Sequence, residues 1–232
     1  MTATRVATAE AGAATTAERD LQARREILAG GVLTLVMVIG GLYLAVWPGP
    51  GLIDRVVLDV VHVHKSAAFI EVTRLRYPLV VVIGVVILAA ITVRRDRARA
   101  LACLVGPPLA LVTCELVAKP LVGRTLGGAL SYPSGTAVAA AALATAVVLV
   151  TPPRWRVVTG VVVGAYTLWV SLAVIVLQWH LPTDALAGVS YGVGVVLVAD
   201  GLAWFAVGAV GRMVNERRRT GSHVDRSVPP GA

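Results

Sequence analysis

Charge is scarce in this chain. Asp, Glu, Lys and Arg make up 15% of its 232 residues, against about 25% in an ordinary soluble domain. Apolar residues reach 57% and the mean hydropathy is +0.80. Together these exclude a soluble enzyme and a disordered chain. They also exclude a nucleic-acid binder, although the formal net charge is +8. Lysine is nearly absent, two against 19 arginines. Cysteine is limited to Cys103 and Cys114, eleven residues apart on one apolar stretch. On a helix they stand roughly 16 Å apart, well past the ~7 Å limit for a disulfide. No Cys/His cluster suggests a metal, and no organic cofactor is implied. The first 22 residues lack the short apolar core and small-residue cleavage site of a signal peptide.

What is abundant is apolar sequence in long runs. A hydrocarbon core takes about 20 mostly apolar residues, with a range of about 17–25. Six runs approach that length, near 27–47, 78–93, 101–118, 134–151, 157–177 and 184–211. The chain therefore reads as an all-α, integral membrane six-helix bundle. Gly106, Pro107 and Pro108 predict a kink in the third span. Trp47, Tyr77, Tyr132, Trp155 and Trp179 fall at span ends, where an aromatic belt places them.

Fifteen of the 21 Lys and Arg lie in the two tails and in the connections after the second and fourth spans. The positive-inside rule then puts both termini in the cytoplasm and turns residues 48–77, 119–133 and 178–183 outward. Residues 1–26 read as a disordered or frayed cytoplasmic tail, 27–211 as the membrane domain, and 212–232 as a basic, disordered cytoplasmic tail. The segment from Ile53 to Arg76 is too charged to span. It reads either as an amphipathic helix on the outer membrane surface or as a plain loop. Glu115 stands one turn before Lys119 and can pair with it, as a structural contact or a proton relay. Asp200 lies within the sixth span, where an ionisable group points to function unless it sits near the cytoplasmic end.

The chemistry-bearing residues gather in two outward loops. The first begins at Lys119, passes Arg124 and a glycine-rich turn, and ends in Pro133, Ser134 and Gly135 at the start of an apolar helix. A helix start offers unpaired N–H groups and the positive end of the dipole, so it binds anions. Ser134 can cap that helix or donate to a phosphate oxygen. Taken alone, Pro-Ser-Gly can also do no more than start a helix. The second loop carries His180 four residues before Asp184. That carboxylate can orient the imidazole and support its positive form. Alternatively, His180 is a solvated interfacial side chain and Asp184 a cap.

Together the two loops resemble the type 2 phosphatidic acid phosphatase and vanadium haloperoxidase superfamily. Its pattern is Lys, six residues, Arg-Pro; then Pro-Ser-Gly-His; then Ser-Arg, five residues, His, three residues, Asp. Lys119, Ser134, Gly135, His180 and Asp184 match by type and spacing, and Gly123-Arg124 matches a common pair within the first part. The resemblance covers about residues 27–210 and implies the six-span type 2 phosphatidate phosphatase fold with an outward pocket. It also implies His180 as a nucleophile that forms a phosphohistidine, with Asp184 as its partner. Lys119, Arg124, Ser134, Gly135 and Thr136 then form the phosphate cradle, and no metal is needed.

Three positions depart from the pattern. Leu126-Gly127 replaces Arg-Pro, Thr136 replaces the general-acid histidine, and Ala173-Val174 replaces Ser-Arg. The implied function is hydrolysis of a lipid-linked phosphate or diphosphate at the outer face of a bacterial plasma membrane. The alternative is a degenerate relative that binds a lipid phosphate head group, or a membrane partner, without turnover. A small transporter fits less well, because its charges belong near the midplane. The lost arginines make Arg55, His62, Lys65, Arg74 and Arg76 candidates to supply cations, Arg74 or Arg76 foremost. With no acid at Thr136, a diphosphate, whose leaving group is a weak base, is the expected preference over a monophosphate.

Overall fold

A computed structural model describes residues 2–61 and 67–225. Nine α-helices are present among the described residues: α1 (Thr2–Val46), α2 (Leu52–Val60), α3 (Ala67–Val72), α4 (Pro78–Thr92), α5 (Arg97–Thr113), α6 (Lys119–Val122), α7 (Gly135–Val150), α8 (Arg156–Val176) and α9 (Pro182–Asp225). A π-helical turn, Cys114–Ala118, joins α5 to α6, and a two-stranded hairpin, β1 (Thr125–Leu126) and β2 (Ala129–Leu130), precedes α7. The expected apolar spans coincide with α1, α4, α5 with its π turn, α7, α8 and α9.

Among the described residues, four stretches are long and apolar enough to cross a membrane: Ala14–Val46, Arg97–Val122, Pro153–Val176 and Pro182–Arg217. The protein is therefore a multi-pass membrane protein. The other two apolar helices, α4 and α7, have 15 and 16 residues, short of the usual ~20 for a span. Leu28, Val32, Leu35, Ile39 and Leu42 form an exposed stripe along α1. Their i, i+3, i+4 spacing marks one helix face, here the face turned to lipid.

Helix α7 is the hub. It consists largely of Ala and Val, packs against α4, α5, α8 and α9, and is buried along most of its length. Small side chains let backbones approach closely, which drives helix association where lipid removes the hydrophobic gain. Gly188 and Gly192 place α9 so near α7 that a Cβ on either would strike the carbonyl of Ser134 or Val138. Gly30 and Gly194 allow the same approach between α1 and α9.

Several sequence expectations need correction. Residues 2–26 are the first part of α1, and from Arg19 onward the reason they dock is specific. Arg19 donates to Asp200 Oδ2 at 2.8 Å, Trp204 donates to Asp20 at 2.6 Å, and Ala23 is fully buried. Those charges pair with α9 and do not solvate a free end. Asp200 therefore answers to Arg19, about 27 Å along α9 from Pro182. Residues 212–225 are helical too, carried by good helix formers such as Arg217 and Met213; residues 226–232 lie outside the described residues. Helix α5 runs through Pro107-Pro108, and the irregular turn falls later, at Cys114–Ala118. Tyr132 is no belt residue: it is buried and donates its hydroxyl to the Met37 carbonyl at 2.6 Å. The segment from Ile53 to Arg76 holds two short helices, α2 and α3, packed against α9 and α8.

The close helix contacts make a direct prediction. Gly192→Ala should destabilise by about 1–3 kcal/mol, because the obstacle is backbone and cannot swing aside. Gly160→Ala meets nothing within 4 Å and should leave stability unchanged or slightly raised. Thermal unfolding in detergent compares the two.

Candidate functional site

Arg124 organises this end of the bundle. It follows Gly123, whose left-handed backbone (φ +67°) ends α6 and turns the chain inward. A guanidinium has five N–H donors in a fixed fork, and protein acceptors take all five. Nε donates to the Pro48 carbonyl, Nη1 to Thr183 Oγ1 and Asp184 Oδ1, and Nη2 to the Gly49 carbonyl and Asp54 Oδ2, at 2.7–3.1 Å. Arg124, Asp54 and Asp184 have no exposed side-chain surface. Burial alone pushes the Asp54 carboxyl up. The Thr183 N–H, Arg124, the Thr183 hydroxyl and the Gly51 N–H reverse this and hold it below its ordinary range.

This clamp fixes the loop that carries His180. Asp184 Oδ2 accepts from Leu181 N at 2.9 Å, and Ser134 N donates to the Asp184 carbonyl at 2.9 Å. His180 Nδ1 lies 2.8 Å from the Ser131 carbonyl. A carbonyl only accepts, so Nδ1 carries the proton and the neutral ring holds its lone pair on Nε2. Ser131 N in turn donates to the Arg124 carbonyl at 2.8 Å.

Beside this loop lies a cavity of about 640 Å³ lined by Lys119, Glu115, Gly135, Thr136, His180 and Tyr77. Its remaining wall is apolar, from Pro78, Val81 and Val82 on α4 and Pro108, Leu111, Val112 and Leu116 on α5 and the π turn. Lys119 Nζ sits 2.8 Å from Glu115 Oε1 and 2.9 Å from Oε2. The Glu115 carboxylate rests against Gly135, at the first turn of α7, where a Cβ would collide with it. Ser134 caps α7, accepting weakly from Ala137 N at 3.4 Å.

No family model matches the chain, and no curated protein does. The crystal structure of the first transmembrane PAP2-type phosphatidylglycerolphosphate phosphatase from Bacillus subtilis is similar over 75% of this chain and 95% of that one, with a TM-score of 0.58 and 20% identity. The chain has the PAP2-type fold.

Within this PAP2-type frame, His180, Lys119, Gly135 and Thr136 line one cavity. Three residues stand elsewhere. Ser134 is fully buried, caps α7 and does not line the cavity. Arg124 has no donor left for a phosphate and does not line the cavity, because buried carboxylates and carbonyls outcompete any ligand for it. Asp184 lies 3.9 Å from His180 Nδ1, too far for a hydrogen bond; the Ser131 carbonyl takes that place, and Asp184 pairs with Arg124. Among the described residues, the segment before α4 supplies no replacement cation. Arg74 is exposed and paired with Glu71, and Arg55 is exposed and donates to Pro50. His62, Lys65 and the Arg76 side chain lie outside the described residues.

The departures from the PAP2 pattern have local causes. Gly127 and Gly128 form the two-residue turn of the hairpin, at φ +58° and +84°. A type I′ turn needs positive φ at both positions, which proline at 127 cannot adopt. The loop is thus rebuilt around Leu126-Gly127. Val174 is fully buried and packs with Ile175, Ala185 and Trp179, so hydrophobic core replaces a cation. Asp54, Thr183, Glu115 and the Ser131 carbonyl were not among the expected site residues. Asp54 shares its segment with Asp59, and nothing in the sequence marks which of the two is buried.

Removing one partner of a buried ion pair costs about 3–5 kcal/mol. Arg124→Ala strands two carboxylates, so its unfolding midpoint in detergent should fall by at least that equivalent. Because the Asp54 carboxyl is lowered on folding, its contribution is complete above the unfolded value of ~3.9. It is lost as pH falls through the folded value. Acid titration of stability should show that loss in the wild type and not in Asp54→Asn.

Proposed function

We propose that the protein hydrolyses a lipid-linked phosphate or diphosphate at the outer face of the plasma membrane, with His180 as nucleophile. The observation that carries this is one cavity in which His180, Lys119 and the first turn of α7 meet an apolar wall. A phosphoryl group needs the first three, and a lipid chain needs the wall. His180 Nε2 attacks phosphorus while Nδ1–H stays on the Ser131 carbonyl, which fixes the tautomer. Lys119 and the N–H groups of Gly135 and Thr136 stabilise charge on the phosphoryl oxygens. Water then attacks the phosphohistidine and releases phosphate. Arg124 and Asp184 act from behind, by holding the loop. The orientation rests on the distribution of arginines, which places both termini in the cytoplasm.

A second reading has its own observation. Lys119 is already matched by Glu115, and Leu126, Thr136 and Val174 occupy family catalytic positions. A relative that holds a lipid phosphate head group without turnover also fits this arrangement.

Phosphate release by purified protein from a panel of lipid phosphates and diphosphates tests the proposal. Wild type should turn over and His180→Ala should not. Lys119→Gln should lower kcat/KM about 10²–10³-fold, as loss of an oxyanion donor does. Binding of phosphatidic acid vesicles without release by the wild type would establish the second reading.

A further inference from the structure

The proposed reaction lacks a proton donor, because Thr136 holds the position of the family's acid. Glu115 is the carboxyl group in the cavity. The π-helical turn Cys114–Ala118 carries it, and such turns are frequent at functional sites. Its carboxylate reaches across to the first turn of α7, over Gly135 and beside Thr136, and binds Lys119 through both oxygens. Gly135 is what admits it. The carboxylate is half-exposed, lines the cavity with His180 and Thr136, and stands within reach of a phosphate held by Lys119.

We propose that Glu115 is the general acid and then the general base of this site, in place of the missing histidine. The inference rests on the lipid phosphatase reading above. A phosphate bound to Lys119 takes the cation from Glu115 and sets a second negative charge beside it. In the first step the Nε2–P bond forms and the bond from P to the lipid oxygen breaks. The Glu115 proton moves to that oxygen, giving the lipid alcohol, phosphohistidine and a carboxylate. In the second step water oxygen bonds to phosphorus and the P–N pair returns to Nε2. A water proton goes to Glu115, and inorganic phosphate leaves. The groups facing Glu115 are Lys119 on α6, His180 before α9, Tyr77 before α4 and the adjacent Cys114 in the π turn.

A proton donor at Glu115 also changes the expected substrate range. Preference for diphosphates belongs to a site without an acid, so it should emerge only when Glu115 is removed. The test measures kcat/KM of full-length protein on phosphatidic acid and on a polyprenyl diphosphate. Glu115→Gln should lose about 10²–10⁴-fold on the monophosphate and less than about tenfold on the diphosphate. Thr136→His in the Glu115→Gln background should restore monophosphate turnover, which a purely structural role does not predict. Equal losses on both substrates without that rescue, or a gain from Glu115→Gln, overturn the assignment. If His180→Ala abolishes turnover and Glu115→Gln is indifferent, only the Glu115 role fails. If the wild type is inactive, or His180→Ala is as active as wild type, the phosphatase reading itself fails.

Discussion

Everything at the functional end hangs on the desolvated guanidinium of Arg124. A cation without exposed surface is tolerable only when its charge and all its donors are matched. Two carboxylates, one hydroxyl and two carbonyls do this. The matching partners come from the loop after α1, from α2 and from the start of α9. One side chain thus ties three distant segments into a floor beneath His180. The cost of breaking such a set is what makes the His180 loop definite in geometry. That rigidity suits a nucleophile, which must be held close to a productive position.

The helices deliver the other half of the cavity through small residues. Alanines on α7 and Gly188 and Gly192 on α9 bring backbones together, so the first turn of α7 stands beside the loop that carries His180. The π turn after α5 then sets Glu115 and Lys119 over that helix start. Lys119 has only 13% of its side chain exposed, whereas Glu115 has 48%. The lysine is therefore the fixed member of the pair, and the carboxylate the one free to exchange for a ligand.

Helix positions were legible in the sequence, because an apolar run that fits a bilayer needs no tertiary context. His180, Lys119 and the Ser134–Thr136 helix start were legible as well, since each has a chemical reason to stand at a span end. Arg124 was misread for an instructive reason. An arginine beside a glycine-rich turn looks the same in sequence whether it faces a ligand or a buried carboxylate. What decides is Asp54, 70 residues away, and no local pattern announces that pairing. The docking of α1 through Arg19 and Asp20 was not legible either, because those charges find partners on α9 only after folding. His180 was expected to bond Asp184, but a backbone carbonyl from Ser131 took its place, and backbone acceptors carry no residue signature.

The central claim is that His180 forms the covalent intermediate in the Lys119–Glu115 cavity. Brief exposure of the protein to a lipid substrate labelled on phosphorus, followed by a base quench and peptide mapping, tests it most directly. The account predicts label that survives base, is lost in acid and maps to the peptide containing His180. Phosphate release with label on a different residue, or with none trapped under conditions that slow the second step, would contradict it.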